Sequence, residues 1–399
     1  MKKIIKKLKT FKWRVKSKIA VFKYGNPASK LKIIGITGTN GKTTIATLLY
    51  KIATELGYKA GLVSTVGNII AGEKRPTTHT TPDSISLTKL FSEMAEKGCE
   101  YVFMEVSSHA MDQKRVAGIN FVGGVFTNLT QDHLDYHKNF ENYFLTKKKF
   151  FQNLSKDSFA LSNIDDEYGI KILENIKAKK YTYSLKDKAD FNERLETKLI
   201  GEFNAYNILA VYGTAVLLGF DKNKVKEIIK NLEPVVGRFE SFKNKDNITG
   251  IVDFAHTPDA LENVLKTIQK MRKENEKIIT VFGCGGDRDS SKRSVMTKIV
   301  YENSDIIIPT ADNPRSENIE KIFEDMKGGL PGELKKEVYF IQDRSEAIKK
   351  ACELAKPHAK AGQTGDFVLC AGKGHESYQE IKGVKQHFND MEELKKNLV

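Results

Sequence analysis

Residues 31–50, LKIIGITGTNGKTTIATLLY, constrain the fold more than any other part of the chain. An apolar run ends at Ile36, a polar loop with glycines follows, and an apolar-periodic segment begins at Ile45. A strand, a glycine-bearing loop and a helix in this order form a phosphate cradle, in which lysine adds charge and threonine reaches Mg²⁺. The strict motif has glycine where Ile36 stands, so this loop is a variant. We predict a nucleoside triphosphate site made by Gly38, Thr39, Asn40, Gly41, Lys42, Thr43 and Thr44.

The length and the cysteines limit the class of protein. A chain of 399 residues predicts two or three domains with real cores. The four cysteines lie far apart without a Cys-x-x-Cys pair, which argues against a disulfide framework or a zinc ribbon. No apolar run approaches the roughly 20 residues that span a bilayer, and the N-terminus lacks the features of a secretory signal. We therefore expect a cytoplasmic protein.

The net charge of +14 is concentrated in one segment. Residues 1–30 hold eleven Lys and Arg residues and no Asp or Glu, so the rest of the chain is nearly balanced. Apolar residues recur in this arm at steps of three and four, which predicts a helix with one apolar stripe. The stripe either packs on the body of the protein or lies on an anionic membrane surface through residues 1–22. Non-specific nucleic-acid binding is a third alternative, and we do not expect it.

The order of apolar and helical segments predicts the fold class. Short apolar strands alternate with helical stretches, which is typical of an α/β fold with parallel sheets wound by helices. We predict a basic amphipathic arm at residues 1–30, a P-loop-containing central ATP-binding domain at residues 31–235, and a Rossmann-like C-terminal α/β domain at residues 236–399. The predicted strands are residues 33–36, 61–64, 101–105, 123–127 and 158–162, then 248–254, 278–282, 305–309, 338–341 and 366–371.

Three further segments carry candidate chemistry. Glu105 ends a predicted strand, and carboxylates at the carboxyl ends of parallel strands point toward the ligand crevice. Because Mg²⁺ binds through one or two carboxylates plus substrate phosphates, Glu105 is a candidate ligand; a solvated loop carboxylate is the alternative. Residues 127–137 contain two Asp, two His and one Asn, and Asp132 or His133 could complete a metal site. Lysines 147–149 lie on a predicted helix, for which a solvated basic face is the alternative.

Taken together, the motifs resemble those of the Mur ligase family of ATP-dependent amide-forming enzymes. The resemblance is strongest to the type E branch, which adds the third residue of the peptidoglycan stem peptide. The motifs occur in family order between residue 31 and residue 399. They are residues 37–44, 80–83, 104–110, 127–137, 201–207, 237–240, 253–259, 283–289, 312–315 and 372–379, with Gln113 and Arg115.

This resemblance implies roles for individual residues. Lys42 and Thr43 match the phosphate grip, and Lys147 matches a lysine that is carbamylated in the family. An ammonium cannot ligate Mg²⁺, whereas a carbamate presents two anionic oxygens. The implied catalytic residues are Lys42, Glu105, His133 and Lys147, and the implied metal ligands are Thr43, Glu105, His133 and carbamylated Lys147. The nucleotide contacts of the family match Asn207, Arg238 and Asp253. Its muramyl-peptide pocket matches Thr80, Thr81, Ser107, Gln113 and Arg115. Its amino-acid pocket matches Arg288, Asn313, Arg315, Gly372 and Glu376.

The family resemblance also implies a reaction. ATP phosphorylates a carboxylate to an acyl phosphate, Lys42 and Mg²⁺ stabilise the transferring group, and an amine then attacks. A guanidinium at Arg315 suits an amino acid with a second carboxylate, and Asp-Asn-Pro-Arg is the family pattern for meso-diaminopimelate. The implied activity is addition of meso-diaminopimelate to UDP-MurNAc-L-Ala-D-Glu in peptidoglycan precursor synthesis, with L-lysine as the alternative acceptor. The implied partners are these small molecules.

One departure from the family leaves alternatives open. Type E members carry an additional N-terminal domain that helps hold the uridine diphosphate, and here only thirty residues precede Leu31. We expect weaker binding of the usual substrate, a partner that supplies the domain, or a different or lipid-linked carboxylate donor. Other readings are a folylpolyglutamate or cyanophycin synthetase type of ligase, a non-catalytic nucleotide-binding scaffold, and a nucleic-acid binder that works through the arm. We expect a cytoplasmic location, and the basic arm adds the alternative of peripheral contact with the inner membrane surface.

Overall fold

The computed structural model describes residues 25–77, 79–357 and 365–398. The helix predicted within residues 1–22 lies outside these ranges. The chain divides into two compact units. Of the described residues, unit 1 holds those from 25 to 130 together with residues 137–199 and 203–233, and unit 2 holds residues 131–136 and 200–202 together with those from 234 to 398.

Unit 1 contains an eight-stranded sheet with the order β4-β3-β2-β5-β1-β6-β7-β8. The strands from β2 across to β8 are parallel, and β3 and β4 add an antiparallel edge. Strands β2, β5 and β7 are buried along their whole length, which accounts for their nearly continuous apolar sequences. The strands are β1 Lys32–Thr37, β2 Ala60–Ser64, β3 Gly67–Ile70, β4 Glu73–Arg75, β5 Tyr101–Glu105, β6 Phe121–Phe126, β7 Phe159–Asn163 and β8 Lys179–Tyr183.

Helices connect the parallel strands of this sheet along the chain. Several begin at a side-chain cap, as at Asp83, whose carboxylate accepts from the backbone N–H groups of Ile85 and Ser86. The five strands predicted for this block all form, with ends displaced by at most two residues. The helices between residues 25 and 233 are the 3₁₀ helix Pro27–Lys30 and the α-helices Lys42–Glu55, Ser84–Glu96, Ser108–Asp112, Leu134–His137, Phe140–Gln152, Gly169–Leu173, Glu202–Leu217 and Lys222–Asn231.

Unit 2 contains a six-stranded sheet with the order β13-β12-β11-β14-β10-β9, in which only β9 is antiparallel. A separate hairpin, β15–β16, follows the last sheet strand. The strands are β9 Glu240–Lys243, β10 Thr249–Asp253, β11 Ile278–Cys284, β12 Ile306–Ala311, β13 Glu337–Val338, β14 Phe367–Ala371, β15 Tyr378–Ile381 and β16 Val384–His387. The helices are Pro258–Met271, Ser291–Asn303, Ile319–Lys327, Arg344–Leu354 and Asp390–Asn397.

These two sheets confirm the predicted α/β class, with a P-loop unit followed by a Rossmann-like unit. The strand predicted at residues 338–341 is wrong in extent, because the observed strand β13 is Glu337–Val338 and shares only Val338 with the prediction. All four cysteines are buried free thiols. Within the described ranges, every helix is too short or too polar to cross a bilayer.

Candidate functional site

The carboxyl edge of the unit 1 sheet places the predicted phosphate loop. Gly38 follows β1 with φ +151°, and Gly41 precedes the helix Lys42–Glu55 with φ +85°. A Cβ atom at Gly38 would lie 1.8 Å from Thr127 Oγ1, and one at Gly41 would lie 2.4 Å from Asn207 Oδ1. Both positions therefore require glycine. The position of the missing motif glycine, Ile36, is a fully buried residue of β1 and lies outside the loop itself.

Hydrogen bonds from the neighbouring strand end hold the phosphate loop in shape. The backbone N–H of Thr39 donates to the Asn128 carbonyl over 2.9 Å, and that of Asn40 donates to Asn128 Oδ1 over 2.9 Å. Thr127 Oγ1 donates to the Asn40 carbonyl over 2.6 Å. Thr127 and Asn128 thus act on the loop, which is a role that the sequence had not assigned to them.

The start of the helix Lys42–Glu55 favours an anion. Its N-cap is Gly41, which has no side chain to cover the helix N-terminus. Lys42 Nζ donates to the carbonyls of Gly38 and Thr39 over 2.9 and 2.6 Å. Thr44 is buried on the first turn. The loop, the lysine and the helix end are therefore arranged for a phosphate group.

Glu105 is the buried carboxylate of this edge, with 1% of its surface exposed. Its Oε1 accepts from Thr43 Oγ1 over 2.9 Å and from the backbone N–H of Thr65 over 2.8 Å. Its Oε2 accepts from Thr65 Oγ1 over 3.3 Å. Thr43 and Glu105, two of the three predicted metal ligands in unit 1, are in direct contact. Thr65 was missed, although it directly follows β2 and the strand-end argument applied to Glu105 would have selected it.

Lys147 lies on the buried face of the helix Phe140–Gln152 and is 1% exposed. Its Nζ donates to the Gly38 carbonyl over 2.8 Å and lies 4.6 Å from the centre of the Tyr143 ring. The Tyr143 hydroxyl is in turn 3.2 Å from Thr39 Oγ1. The alternative prediction of a solvated basic face is therefore wrong for Lys147, and it is confirmed for Lys149, which is exposed. Two lysines, at positions 42 and 147, converge on one carbonyl of the phosphate loop.

The five residues predicted for the muramyl-peptide pocket lie together beside Glu105. Thr81 Oγ1 donates to the Glu105 carbonyl over 2.8 Å and accepts from the Ser107 backbone N–H over 3.1 Å. Arg115 donates to the Thr81 carbonyl over 2.7 Å and, through two nitrogens, to Gln113 Oε1. Thr80 is connected through Thr65, whose hydroxyl lies 3.0 Å from the Thr80 hydroxyl.

His133 belongs to unit 2, whereas Glu105 and Lys147 belong to unit 1. Its Nε2 lies 3.3 Å from Asp132 Oδ2, and Lys292 Nζ lies 3.6 Å from Asp132 Oδ1. Burial would raise the pKa of Asp132, but the charges of His133 and Lys292 hold it well below its usual range. Asp132 is therefore a buried, ionised carboxylate that lies beside two basic side chains, His133 and Lys292.

Arg238 and Asp253 meet where β10 ends. The backbone N–H of Phe239 donates to Asp253 Oδ2 over 2.7 Å, and the Arg238 guanidinium stacks 4.4 Å from the centre of the Phe254 ring. Burial raises the pKa of Asp253 to about 6, and the Arg238 charge opposes this shift. On the other hand, Asn207 lies in unit 1, beside Gly41 of the phosphate loop.

The residues predicted to bind the amino acid converge at the carboxyl ends of β11, β12 and β14. Asn313 Nδ2 donates to Glu376 Oε2 over 2.8 Å, and Arg315 Nη1 donates to the Gly286 carbonyl over 2.7 Å. A Cβ atom at the neighbouring Gly285 would lie 3.0 Å from Arg315 Nη1 and 3.6 Å from Arg288 Cγ, so these two arginines are adjacent. Gly372 has φ +114° and faces Asp312. The pocket combines two guanidinium groups with the half-buried acids Asp312 and Glu376, which suits a zwitterionic ligand.

Two family descriptions match the chain. The Mur ligase middle domain matches residues 36–215, and the Mur ligase glutamate ligase domain matches residues 237–374. Together they cover the phosphate loop, Glu105 and Lys147 in unit 1 and most of the amino-acid pocket in unit 2.

Relatives of similar sequence carry one name. The UDP-N-acetylmuramoyl-L-alanyl-D-glutamate–2,6-diaminopimelate ligase of Bacteroides fragilis is 52% identical over 395 residues, covering 95% of this chain and 80% of the relative. The ligase of the same name from Cytophaga hutchinsonii is 53% identical over 384 residues, covering 92% of this chain and 77% of the relative.

Solved structures agree with this relationship. A structure titled as the same ligase has 34% identity and a TM-score of 0.60, and the match covers 92% of this chain and 78% of that one. The folylpolyglutamate synthase of Mycobacterium tuberculosis, at 16% identity, TM-score 0.72 and coverages of 90% and 92%, shares the fold alone. With two matching domains and relatives at half identity, the chain belongs to the Mur ligase family of ATP-dependent ligases that form C–N bonds.

Proposed function

We propose that this chain adds meso-diaminopimelate to UDP-MurNAc-L-Ala-D-Glu in peptidoglycan precursor synthesis, with residues 31–235 as the ATP-binding domain and residues 236–399 as the amino-acid-binding domain. The observation that carries the proposal is the pocket at Asn313, Arg315 and Glu376, which joins guanidinium and carboxylate groups at one sheet edge. The relatives named for this reaction, which are 52% and 53% identical to the chain over the aligned residues, support it.

The residues of unit 1 fit the activation of a carboxylate by ATP. Lys42 and the helix N-terminus bind the phosphates and stabilise charge on the transferring phosphoryl group. The product acyl phosphate is then attacked by the amine of the acceptor, and phosphate leaves as the amide forms. The cluster of Thr81, Ser107 and Arg115 beside Glu105 is suited to hold the carboxylate donor in place.

The oxygen donors beside the phosphate loop fit Mg²⁺, which prefers oxygen ligands. Thr43 and Glu105, 2.9 Å apart through their side-chain oxygens, would hold it with the substrate phosphates, whose charge it neutralises. We propose a carbamate on Lys147 as a further oxygen donor. His133 rests on the sequence pattern of residues 127–137 and on the family resemblance, and imidazole is a less usual partner for Mg²⁺ than carboxylate or water.

Phosphate release tests the proposed function directly. Purified chain is given ATP and Mg²⁺ with meso-diaminopimelate or L-lysine, with and without UDP-MurNAc-L-Ala-D-Glu. Release that requires both the nucleotide-sugar dipeptide and meso-diaminopimelate supports the proposal. Release only with L-lysine or with a lipid-linked donor overturns the assigned substrates, and ATP binding without turnover would favour a scaffold.

Replacing Arg315 by alanine is expected to lower the preference for meso-diaminopimelate over L-lysine. A charge-assisted bond of guanidinium to carboxylate contributes about 1.5–3 kcal/mol, so the ratio of the two kcat/KM values should fall by about ten- to a hundredfold. The control is Arg272→Ala, which removes an arginine paired with Asp305 at the opposite end of β12. An unchanged ratio in Arg315→Ala contradicts the assignment of the second carboxylate to this residue.

Replacing Thr65 by valine is expected to weaken Mg²⁺-dependent turnover through Glu105. Valine keeps the shape and the backbone N–H bond but removes the hydroxyl that lies 3.3 Å from Glu105 Oε2. Loss of such a supporting bond lowers metal affinity or activity by about ten- to a hundredfold, measured as turnover against Mg²⁺ concentration. Thr54→Val, at an exposed site of the helix Lys42–Glu55, is the control. Equal Mg²⁺ dependence in both variants would remove Thr65 from the site.

A further inference from the structure

Lys373 is a fully buried lysine at the centre of the amino-acid pocket, and the family-based assignment leaves it without a role. Its Nζ lies 3.2 Å from Asn313 Oδ1, 3.2 Å from Glu376 Oε2 and 3.7 Å from Asp312 Oδ1. A buried ammonium is costly unless it is paired and hydrogen-bonded. Two of these partners, Asn313 and Glu376, are predicted to bind the acceptor, and the third, Asp312, directly precedes Asn313 in the chain.

The backbone turns Lys373 into this position. It stands between Gly372, at φ +114°, and Gly374, at φ +52°, which are conformations that favour glycine. A Cβ atom at Gly374 would lie 2.7 Å from the Gly237 carbonyl, so the turn packs directly on another backbone segment. The Glu376 backbone N–H donates to the Lys373 carbonyl over 2.9 Å, which brings the Glu376 carboxylate back to its own lysine.

Lys373 also sets the orientation of the Asn313 amide. A lysine ammonium only donates, so it requires the amide oxygen, and the Glu380 backbone N–H donates to the same oxygen over 2.9 Å. The amide nitrogen is thereby directed to Glu376 Oε2, 2.8 Å away. Asn313 and Lys373 together fix one oxygen of the Glu376 carboxylate.

The charge balance around Glu376 depends on this lysine. Burial raises the pKa of Glu376, the charge of Asp312 raises it further, and Lys373 and the Asn313 amide oppose the shift. Arg344 also interacts electrostatically with Asp312. Lys373 is the cation in direct contact with both acids, and without it two carboxylates would share a buried site, which favours protonation of one of them.

We propose that Lys373 is a positioning residue for the acceptor: it holds Glu376 as an oriented, ionised carboxylate that binds the non-reacting ammonium group of a diamino acid. This inference rests on the proposed function, because it names the charge that the acceptor meets in its pocket. Lys373 acts through Glu376 and Asn313 and makes no contact with the reacting atoms.

A double-mutant cycle on Lys373 and Glu376 tests the proposal in the full chain. Lys373→Met is expected to raise the KM for meso-diaminopimelate by at least about tenfold, and to change the KM for ATP by less than about twofold. Glu376→Gln raises the same KM by a similar factor. In the Glu376→Gln background, adding Lys373→Met should change it by no more than about twofold, because the lysine works through that carboxylate.

The double variant keeps the test decisive even where Lys373→Met folds poorly, since it removes both Lys373 and the Glu376 charge, and Asp312 keeps its electrostatic interaction with Arg344. A further tenfold rise in KM on going from Glu376→Gln to the double variant overturns the proposal, as does an unchanged KM in Lys373→Met. Wild-type chain assayed in parallel separates the two hypotheses. If wild type forms no amide with meso-diaminopimelate, the proposed function fails; if it does and Lys373→Met matches it, only the role of Lys373 fails.

Discussion

Replacing Lys147 by methionine is expected to lower kcat by at least about a hundredfold, the scale measured when one preorganised electrostatic group is removed from an active site. The Lys147 ammonium is almost fully buried and shares the Gly38 carbonyl with Lys42 Nζ. Methionine matches the length of the aliphatic stem and fills the same space, so the fold should persist. The measurement is steady-state amide formation at saturating substrates.

The matched control is Lys149→Met, which lies two residues further along the same helix and is exposed. Its turnover should stay within about twofold of wild type, because an exposed surface charge contributes little. Removal of dissolved CO₂ should lower the activity of wild type and leave the residual activity of Lys147→Met unchanged, if the lysine works as a carbamate. Full turnover in Lys147→Met would exclude a catalytic role for Lys147 both as a buried charge and as a carbamate.

Replacing Asp390 by alanine is expected to lower the free energy of unfolding of unit 2 by about 3–5 kcal/mol, as when one partner of a buried ion pair is lost. The Arg344 guanidinium donates from Nε and Nη2 to the two Asp390 oxygens over 2.7 Å each, and both side chains are fully buried. Alanine leaves that guanidinium without its counter-charge. Urea denaturation followed by circular dichroism measures the change.

Two further variants isolate the cause of this loss. The double variant Arg344→Met with Asp390→Leu removes both charges and should recover most of the lost stability. Glu262→Ala breaks an exposed pair with Lys266 on a surface helix and should change stability by less than about 0.5 kcal/mol. If the double variant is as unstable as Asp390→Ala, packing around the pair explains the loss and the unpaired charge does not.

The Arg344–Asp390 pair also connects stability to the amino-acid pocket. Arg344 Nη2 donates to the carbonyl of Ala371, the last residue of β14, over 3.0 Å, and Gly372 of the pocket follows directly. The sequence offered no signal for this pair, because an arginine and an aspartate 46 positions apart look like ordinary surface charges. Their burial depends on the packing of two helices at the end of the chain, Arg344–Leu354 and Asp390–Asn397.

Local patterns accounted for much of the fold and of the phosphate loop. Alternation of apolar runs and helical segments predicted ten strands; nine form with ends within two residues of the prediction, and the tenth, at residues 338–341, shares only Val338 with the observed strand Glu337–Val338. The loop at residues 37–44 was recognisable because a strand, glycines and a helix start are consecutive in the chain. The short strands β3, β4, β8 and β9 at the margins of the sheets and the hairpin β15–β16 were missed, since their few residues carry little apolar periodicity.

The sequence by itself determined the α/β class, the family and the phosphate loop, because each depends on residues that are neighbours in the chain. The tertiary structure decided which polar side chains meet. Thr65 reaches Glu105 because β2 pairs with β5, and Lys373 reaches Asn313 because the ends of β12 and β14 converge on one edge. Burial of Lys147 and Lys373 likewise depends on packing, and a charge interacts more strongly with its neighbours in the low-dielectric interior than in water.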